Sequence, residues 1–329
     1  MNPKICVLVT FYNQEKYVDK ALESIINQKT VFDIKIIIGD DGSSDGTQAK
    51  IQTWINNYPD FIEMHVMDRG DDKYISGFRA SRNRLNLLKY VDTDYFIFLD
   101  GDDYYIDDQK LQKQLDVLEN PDNSDCIACA HDSEILYPDG NRKRICGDDL
   151  TEGKYTVKEY WKSKYFHTDS MLIRSSVIKN IDFKLVENNF NDNLITYIVY
   201  QFGNVYYIPD AMTVYLQTGD GIWTSGNIVV NHIRNMFLFD LCNKINPDLK
   251  KETSARFSLS WWLLFKHRKN IDRESLKKYE AEAQDKKLEY SNKWINYNEF
   301  GLFYKISMFF RTIRICYRTI LLSFIIRDH

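Results

Sequence analysis

No stretch of this 329-residue chain reaches the roughly 18 uncharged apolar residues that a membrane-spanning helix needs. The opening segment, Met1-Asn-Pro-Lys-Ile-Cys-Val-Leu-Val-Thr10, is too short and too quickly polar for a secretory leader. The 6 prolines and 14 glycines form no linker, and no internal repeat or low-complexity tract divides the chain. Its 6 cysteines, at positions 6, 126, 129, 146, 242 and 316, are too sparse for a disulfide framework and fit a reducing, cytoplasmic compartment. Cys126-Ile-Ala-Cys129 lacks the second pair of a zinc ribbon and lies inside an apolar, strand-like run, so buried thiols are expected there. With a net charge of -4 and no Lys/Arg stripe in the first 280 residues, nucleic acid is not an expected partner. Also missing are the GxGxxG dinucleotide turn and the GxxxxGK[ST] phosphate loop, which argues against hydride and ATP chemistry.

What is present is alternation. Apolar, β-rich runs at 5–9, 34–38, 62–66, 95–99 and 126–130 alternate with helical patterns at 16–27, 47–56, 79–90 and 107–119. Such alternation predicts an α/β fold, a mostly parallel sheet flanked by helices, because each crossover helix must cover a sheet face. Residues 204–209 and 212–216 read as two further strands around a helix at 192–201. From about residue 228 the texture turns helical, at 229–244, 253–267, 274–296 and 302–326. The expected organisation is a domain over 1–227, with a donor half at 1–120 and an acceptor half at 121–227, followed by a helical region at 228–329.

In open α/β sheets the ligand crevice lies beyond the carboxyl ends of the strands. Three clusters converge there: Thr10-Phe-Tyr-Asn13, Gly39-Asp-Asp-Gly-Ser-Ser-Asp-Gly46 and Asp100-Gly-Asp-Asp103. Three carboxylates within four residues repel one another, so the last cluster suits a hard divalent cation, magnesium or manganese, held by oxygen. Gly101 lets the backbone turn sharply and approach a ligand. A solvated acidic turn before the next helix, where Asp107 and Asp108 also sit, is the plain structural alternative. In the second cluster Ser44 or Asp45 can cap the helix near Thr47, whereas the acid at the strand's end has no such job and can accept from a base or a ribose. Tyr12 offers a stacking face for a base.

These motifs resemble a known family. Val7-Leu-Val-Thr-Phe-Tyr-Asn13 with Tyr17, Ala21-Leu-Glu-Ser-Ile25 and Gln28, then Ile38-Gly-Asp-Asp-Gly-Ser-Ser-Asp-Gly-Thr47, then Phe98-Leu-Asp-Gly-Asp-Asp103 resemble the family-2 inverting glycosyltransferases of the GT-A fold. The resemblance covers the first 120 residues strongly and those to about 225 more weakly. It implies that Thr10, Tyr12 and Asp41 hold the nucleoside, Asp41 at the base edge, that Asp100 reaches the ribose beside Gly101, and that Asp102 binds the metal. Arg82-Asn83 resembles the family's pair before the acidic strand and supports the donor site. Phe190-Asn-Asp-Asn-Leu194 resembles the segment bearing the catalytic base, which makes Asp192 the candidate; the alternative is a helix N-cap. Related enzymes often carry a metal-binding His after the final strand, where this chain has Thr218.

The implied function is transfer of a sugar from a nucleotide diphosphate, a UDP-sugar first, to a glycan or lipid-linked acceptor in bacterial surface polysaccharide or glycan synthesis. Gly219 to Gly226 reads as a loop able to close over the diphosphate. Residues 302–326 carry Lys305, Arg311, Arg314 and Arg318 among apolar residues, which suits either the anionic inner face of a membrane or docking on the protein or a partner subunit. Two other functions compete: a nucleotidyltransferase, which would want a basic Gly-rich loop after the first strand, and a catalytically silent nucleotide-sugar-binding module, suggested by Thr218.

Overall fold

The computed structural model describes residues 3–68, 76–147, 150–160, 166–218, 228–250 and 273–288, together with Thr253, Arg256, Phe257 and Ser260. The expected loop at 219–226, most of the helix at 253–267 and the basic segment at 302–326 lie outside the described residues. The chain divides into two compact units, Met1–Thr224 and Ser225–His329.

The first unit begins with β1 (Ile5–Phe11), α1 (Val18–Ile26), β2 (Ile34–Asp40), α2 (Thr47–Asn57), β3 (Ile62–Val66), α3 (Ser76–Leu87) and β4 (Tyr95–Asp100). The four strands are parallel, in the order β3-β2-β1-β4. β1 and β4 are central and covered on both faces, which is why Ile5-Cys-Val-Leu-Val and Tyr95-Phe-Ile-Phe-Leu read as unbroken apolar runs. α1 turns Val18, Ala21, Leu22 and Ile25 to one face of this sheet at helical spacing, where they meet Val7, Val9, Ile97 and Leu99. Each fully buried aliphatic side chain contributes roughly 1.5–3 kcal/mol. α3 lies against β1 and β2. It approaches closely at Gly39, whose carbonyl accepts from Asn83 Nδ2 at 2.9 Å; a Cβ on Gly39 would stand 2.4 Å from Asn83 Oδ1.

The sheet continues through β5 (Tyr104–Tyr105), α4 (Lys110–Glu119), β6 (Cys126–Leu136), β7 (Arg142–Arg144), β8 (Gly153–Tyr155), α5 (Val157–Tyr160), β9 (Leu172–Arg174), α6 (Phe183–Val186), α7 (Asp192–Val199) and β10 (Asn204–Leu216). Cys126 and Cys129 are buried free thiols in β6. The short strands β5 and β8 pair antiparallel with β10, and β7 pairs antiparallel with β6. β9 runs antiparallel between β4 and β6, a pairing that needs no crossover helix. The two strands expected at 204–209 and 212–216 are one strand, β10. Its parallel ladder with β6 shifts register between Ile208 and Ala211 and again before Thr213, around Pro209, which has no N–H to give.

The second unit contains α8 (Ile228–Ile245) and α9 (Arg273–Asp285). Phe237 of α8 packs on Tyr279 of α9, ring centres 4.9 Å apart, and Arg234 Nε donates to the Tyr279 hydroxyl at 3.0 Å. Among the described residues no helix is long and apolar enough to cross a membrane.

Candidate active site

Strand register sets the level of the site. Thr10 of β1 stands opposite both Gly39 of β2 and Asp100 of β4, so three strands stop together and hand their following residues to one crevice. Asp40, the last residue of β2, is fully buried, and its Oδ1 accepts from Ser43 N at 2.8 Å and Gln48 Nε2 at 2.6 Å. Asp40 does not cap the following helix; it closes the turn in which Gly42 adopts φ +70°. Asp45 Oδ1 accepts from Thr47 N at 3.0 Å, while Ser44 N donates instead to Asn13 Oδ1 at 2.8 Å. Asp41 is buried and gripped by Arg79 of α3, whose Nε lies 2.9 and 3.2 Å from its two oxygens. Tyr12 is 43% exposed.

A second arginine from α3 organises the middle of the crevice. Arg84 Nη2 donates to both oxygens of Asp100 at 2.7 Å, and Nη1 donates to Asp192 Oδ1 at 2.8 Å. Thr10 Oγ1 adds a bond to Asp100 Oδ1 at 3.0 Å, and Thr168 Oγ1 one to Asp192 Oδ1 at 2.9 Å. One guanidinium therefore joins the acidic strand end to the start of α7. Burial works against the charge on Arg84, but Asp100 and Asp192 outweigh it and raise its pKa. Burial alone would raise the Asp192 carboxyl as well; Arg84 foremost, then His167, hold it below the usual carboxylate range. Asp192 is not the cap of its helix. That place belongs to Asn191, whose side chain accepts from Leu194 N at 3.2 Å, which leaves the Asp192 carboxylate to Arg84 and Thr168.

Gly101 owes its place to packing. A Cβ there would sit 2.1 Å from Phe11 Cδ1 and 2.8 Å from Gln14 Oε1, so only glycine lets the turn lie against the Phe11 ring. Burial, then the neighbouring Asp100 carboxylate, push the Asp102 pKa up to about 6. Asp103 is 1% exposed and accepts from Leu216 N at 2.8 Å, tying the acidic turn to the end of β10. The acids at 107 and 108 serve elsewhere: Asp107 Oδ1 accepts from Gln109 N at 2.8 Å, and Asp108 pairs with Lys29 at 2.5 Å. Neither they nor residues 100–103 cap α4, whose N-cap Gln109 makes no side-chain bond.

Sequence reasoning missed three groups. It singled out Arg82 and Asn83, yet Arg82 reaches away to Asn188 Oδ1 at 2.9 Å, and Asn83 holds α3 to β2. The neighbour Arg84 enters the site; a charge four residues before Leu88, on the stripe with Phe78, Ser81 and Leu85, was the available signal. His167 and Asp169 flank Thr168 in a 3₁₀ turn before β9, with His167 Nε2 3.8 Å from Asp192 Oδ2. Burial disfavours a charged His167, but Asp169, Asp192 and Asp103 together push its pKa up to about 10. Their only trace in the sequence is a polar cluster next to the apolar run Met171–Ile173.

The family model of glycosyl transferase family 2 matches residues 6–182, the span that builds β1 to β9. The chain belongs to glycosyl transferase family 2. The chain is 24% identical over 215 residues to a Mycobacterium tuberculosis protein, across 65% of this chain and 59% of that one, so it spans about three fifths of such relatives. It is 28% identical over 202 residues to the teichoic acid poly(glycerol phosphate) polymerase of Staphylococcus epidermidis, across 60% of this chain and 25% of the polymerase. The structure of S. aureus TarS 1-349 in complex with UDP superposes with a TM-score of 0.59 at 17% identity, across 86% of this chain and 80% of that one. A mannosyltransferase from Pyrobaculum calidifontis in complex with GDP-Man and Mn²⁺ gives 0.52 at 13% identity, across 95% and 88%. At these identities the likeness establishes the GT-A fold.

Proposed function

We propose that this glycosyltransferase inverts: it moves a sugar from a nucleotide diphosphate, a UDP-sugar first, to an acceptor hydroxyl in bacterial surface polysaccharide or glycan synthesis. The observation that carries the proposal is the Arg84 bridge, which sets a strand-end acid and the Asp192 carboxylate on either side of one guanidinium. The family supports sugar transfer, and the teichoic acid relative supports a place in cell-surface synthesis. Neighbours of the same fold bind UDP, or GDP-Man with Mn²⁺, which supports a nucleotide-sugar donor and a divalent ion.

The donor side fits such a ligand. Tyr12 offers a ring face to the base, Asp41 an acceptor oriented by Arg79, and Asp100 a carboxylate for the ribose. Asp102, half-buried next to another acid, has a proton affinity that a cation would relieve, so it is the residue that would hold magnesium or manganese. Bound there, the cation would neutralise charge on the departing diphosphate. Asp192 is ionised near neutral pH. Arg84 and Thr168 both engage its Oδ1, which directs Oδ2 toward an incoming acceptor hydroxyl. Removal of the acceptor proton by Oδ2, with attack on the anomeric carbon from the face opposite the leaving group, gives inversion without a covalent intermediate. Residues 302–326 remain the proposed contact with a membrane surface, with the protein's own core or with a partner subunit.

Titration calorimetry with UDP-, GDP- and dTDP-sugars, with and without Mn²⁺, tests the reading on wild type and Asp102→Ala. Metal-dependent binding of one donor that is lost in the variant is expected; failure of every donor to bind would overturn the donor site, and binding without any transfer would favour the silent module that Thr218 suggests. The pH dependence has a definite sign. Donor and metal need Asp102 ionised, so their affinity should be level above pH 6 and fall roughly tenfold per unit below it. A flat profile from about pH 5 to 7.5 would remove Asp102 from the metal site.

A further inference from the structure

Behind the crevice lies a polar cluster that the transfer reaction does not use. Asp103 and Asp169 are each 1% exposed and His167 is 7% exposed. Asp103 Oδ2, Asp169 Oδ2 and His167 Nδ1 are all buried without a hydrogen-bond partner. His167 Nδ1 stands 2.7 Å from Asp169 Oδ1, yet off the line that a hydrogen bond between them requires. One ligand atom from each of the three residues lies within 4.8 Å of the others. Ligands of one tetrahedral ion stand about 3.4 Å apart, so the set reaches bonding range by drawing in by up to about 1.4 Å. The Tyr105 hydroxyl is a fourth buried group without a partner, close enough to Asp169 to feel its charge.

We propose that Asp103, His167 and Asp169 form a divalent-cation site of their own, separate from the donor's metal, that takes a first-row transition ion, zinc or manganese. Buried polar atoms are nearly always satisfied in folded proteins, and three clustered residues that each keep an unsatisfied buried atom form the pattern that an ion completes. An imidazole with two carboxylates favours zinc or manganese over magnesium, which prefers oxygen alone. The neighbouring Lys110, whose pKa burial lowers to about 7, is already committed, with Nζ donating to Gln114 Oε1 at 2.9 Å and lying 4.2 Å from the centre of the Tyr105 ring. The ion ties together three segments: the acidic turn after β4, the 3₁₀ turn before β9 and, through Leu216 N on Asp103, the end of β10. The Thr168 bond to Asp192 extends this bracing to the proposed base. The site requires neither a nucleotide nor Asp102, which separates its test from that of the donor reading.

The test counts metal on the full chain. Protein stripped by chelating resin is loaded with Zn²⁺ or Mn²⁺ without nucleotide, desalted and measured by mass spectrometry, for wild type, Asp102→Ala, His167→Gln and Asp169→Asn. Wild type and Asp102→Ala are expected to retain about one ion per chain, and the other two to lose it. No retained ion in wild type, or an ion that Asp102→Ala loses and Asp169→Asn keeps, overturns the proposal. Should the His167 and Asp169 variants fail to fold, pulsed electron paramagnetic resonance of Mn²⁺-loaded Asp102→Ala decides: nitrogen coupling from an imidazole supports the site, and its absence overturns it.

Discussion

Asp192→Asn is expected to lower sugar transfer by roughly 10²- to 10⁴-fold, the contribution of a well-placed general base, while donor affinity stays within about twofold of wild type. The substitution keeps the shape of the side chain and one oxygen for Arg84 and Thr168, so the crevice is preserved; what disappears is the anionic lone pair that accepts the acceptor proton. Asn191, not Asp192, caps α7, so the helix start is untouched and a folding defect should not mimic the loss. Transfer is read as nucleoside diphosphate released with glycan or lipid-linked acceptors, and binding by calorimetry on the same samples. Transfer within about tenfold of wild type would dismiss Asp192 as the base. Parallel losses of binding and transfer would show that it only braces the donor pocket.

Arg84→Met should carry the largest stability penalty in the first unit, about 3 kcal/mol by urea unfolding. Methionine fills much of the volume but leaves Asp100 and Asp192 without the cation they share, and the threonine hydroxyls on each supply no charge. The side chains of Arg84, Asp100 and Asp192 are 10, 31 and 17% exposed, so water screens the pair only in part. A double-mutant cycle with Asp192→Asn separates charge from packing: if the penalty is electrostatic, the double variant should be more stable than the two single losses added together. A penalty below about 1 kcal/mol would class the bridge with solvent-screened surface pairs.

The sequence was most informative where one physical requirement acted alone. Strands buried on both faces must be apolar throughout, so Ile5-Cys-Val-Leu-Val and Phe96-Ile-Phe-Leu announced β1 and β4, and the acids after them announced the crevice. β9 escaped because three residues carry no period, and Pro209 made one bulged strand look like two. Among the site residues, carboxylates at strand ends were legible as a class, but their division of labour was not. Asp40 and Asp41 are adjacent and both buried, yet one closes a turn and the other meets Arg79, a choice made by α3 from 38 residues away. Arg84 and His167 meet Asp192 from 108 and 25 residues away, and no local pattern encodes such a partner.

That distance has a consequence for how the protein comes into being. Thr10 meets Asp100 across 90 residues, and Arg84 meets Asp192 across 108. Contacts of such span form late, after the chain between them has paid its closure entropy, and they slow folding. On the ribosome, at roughly 5 to 20 residues per second, roughly 5 to 20 seconds separate synthesis of Asp100 from that of Asp192. Through that interval Arg84 has only Asp100 to hold, and a chain released before α7 carries the strand-end acids without the carboxylate proposed to activate an acceptor.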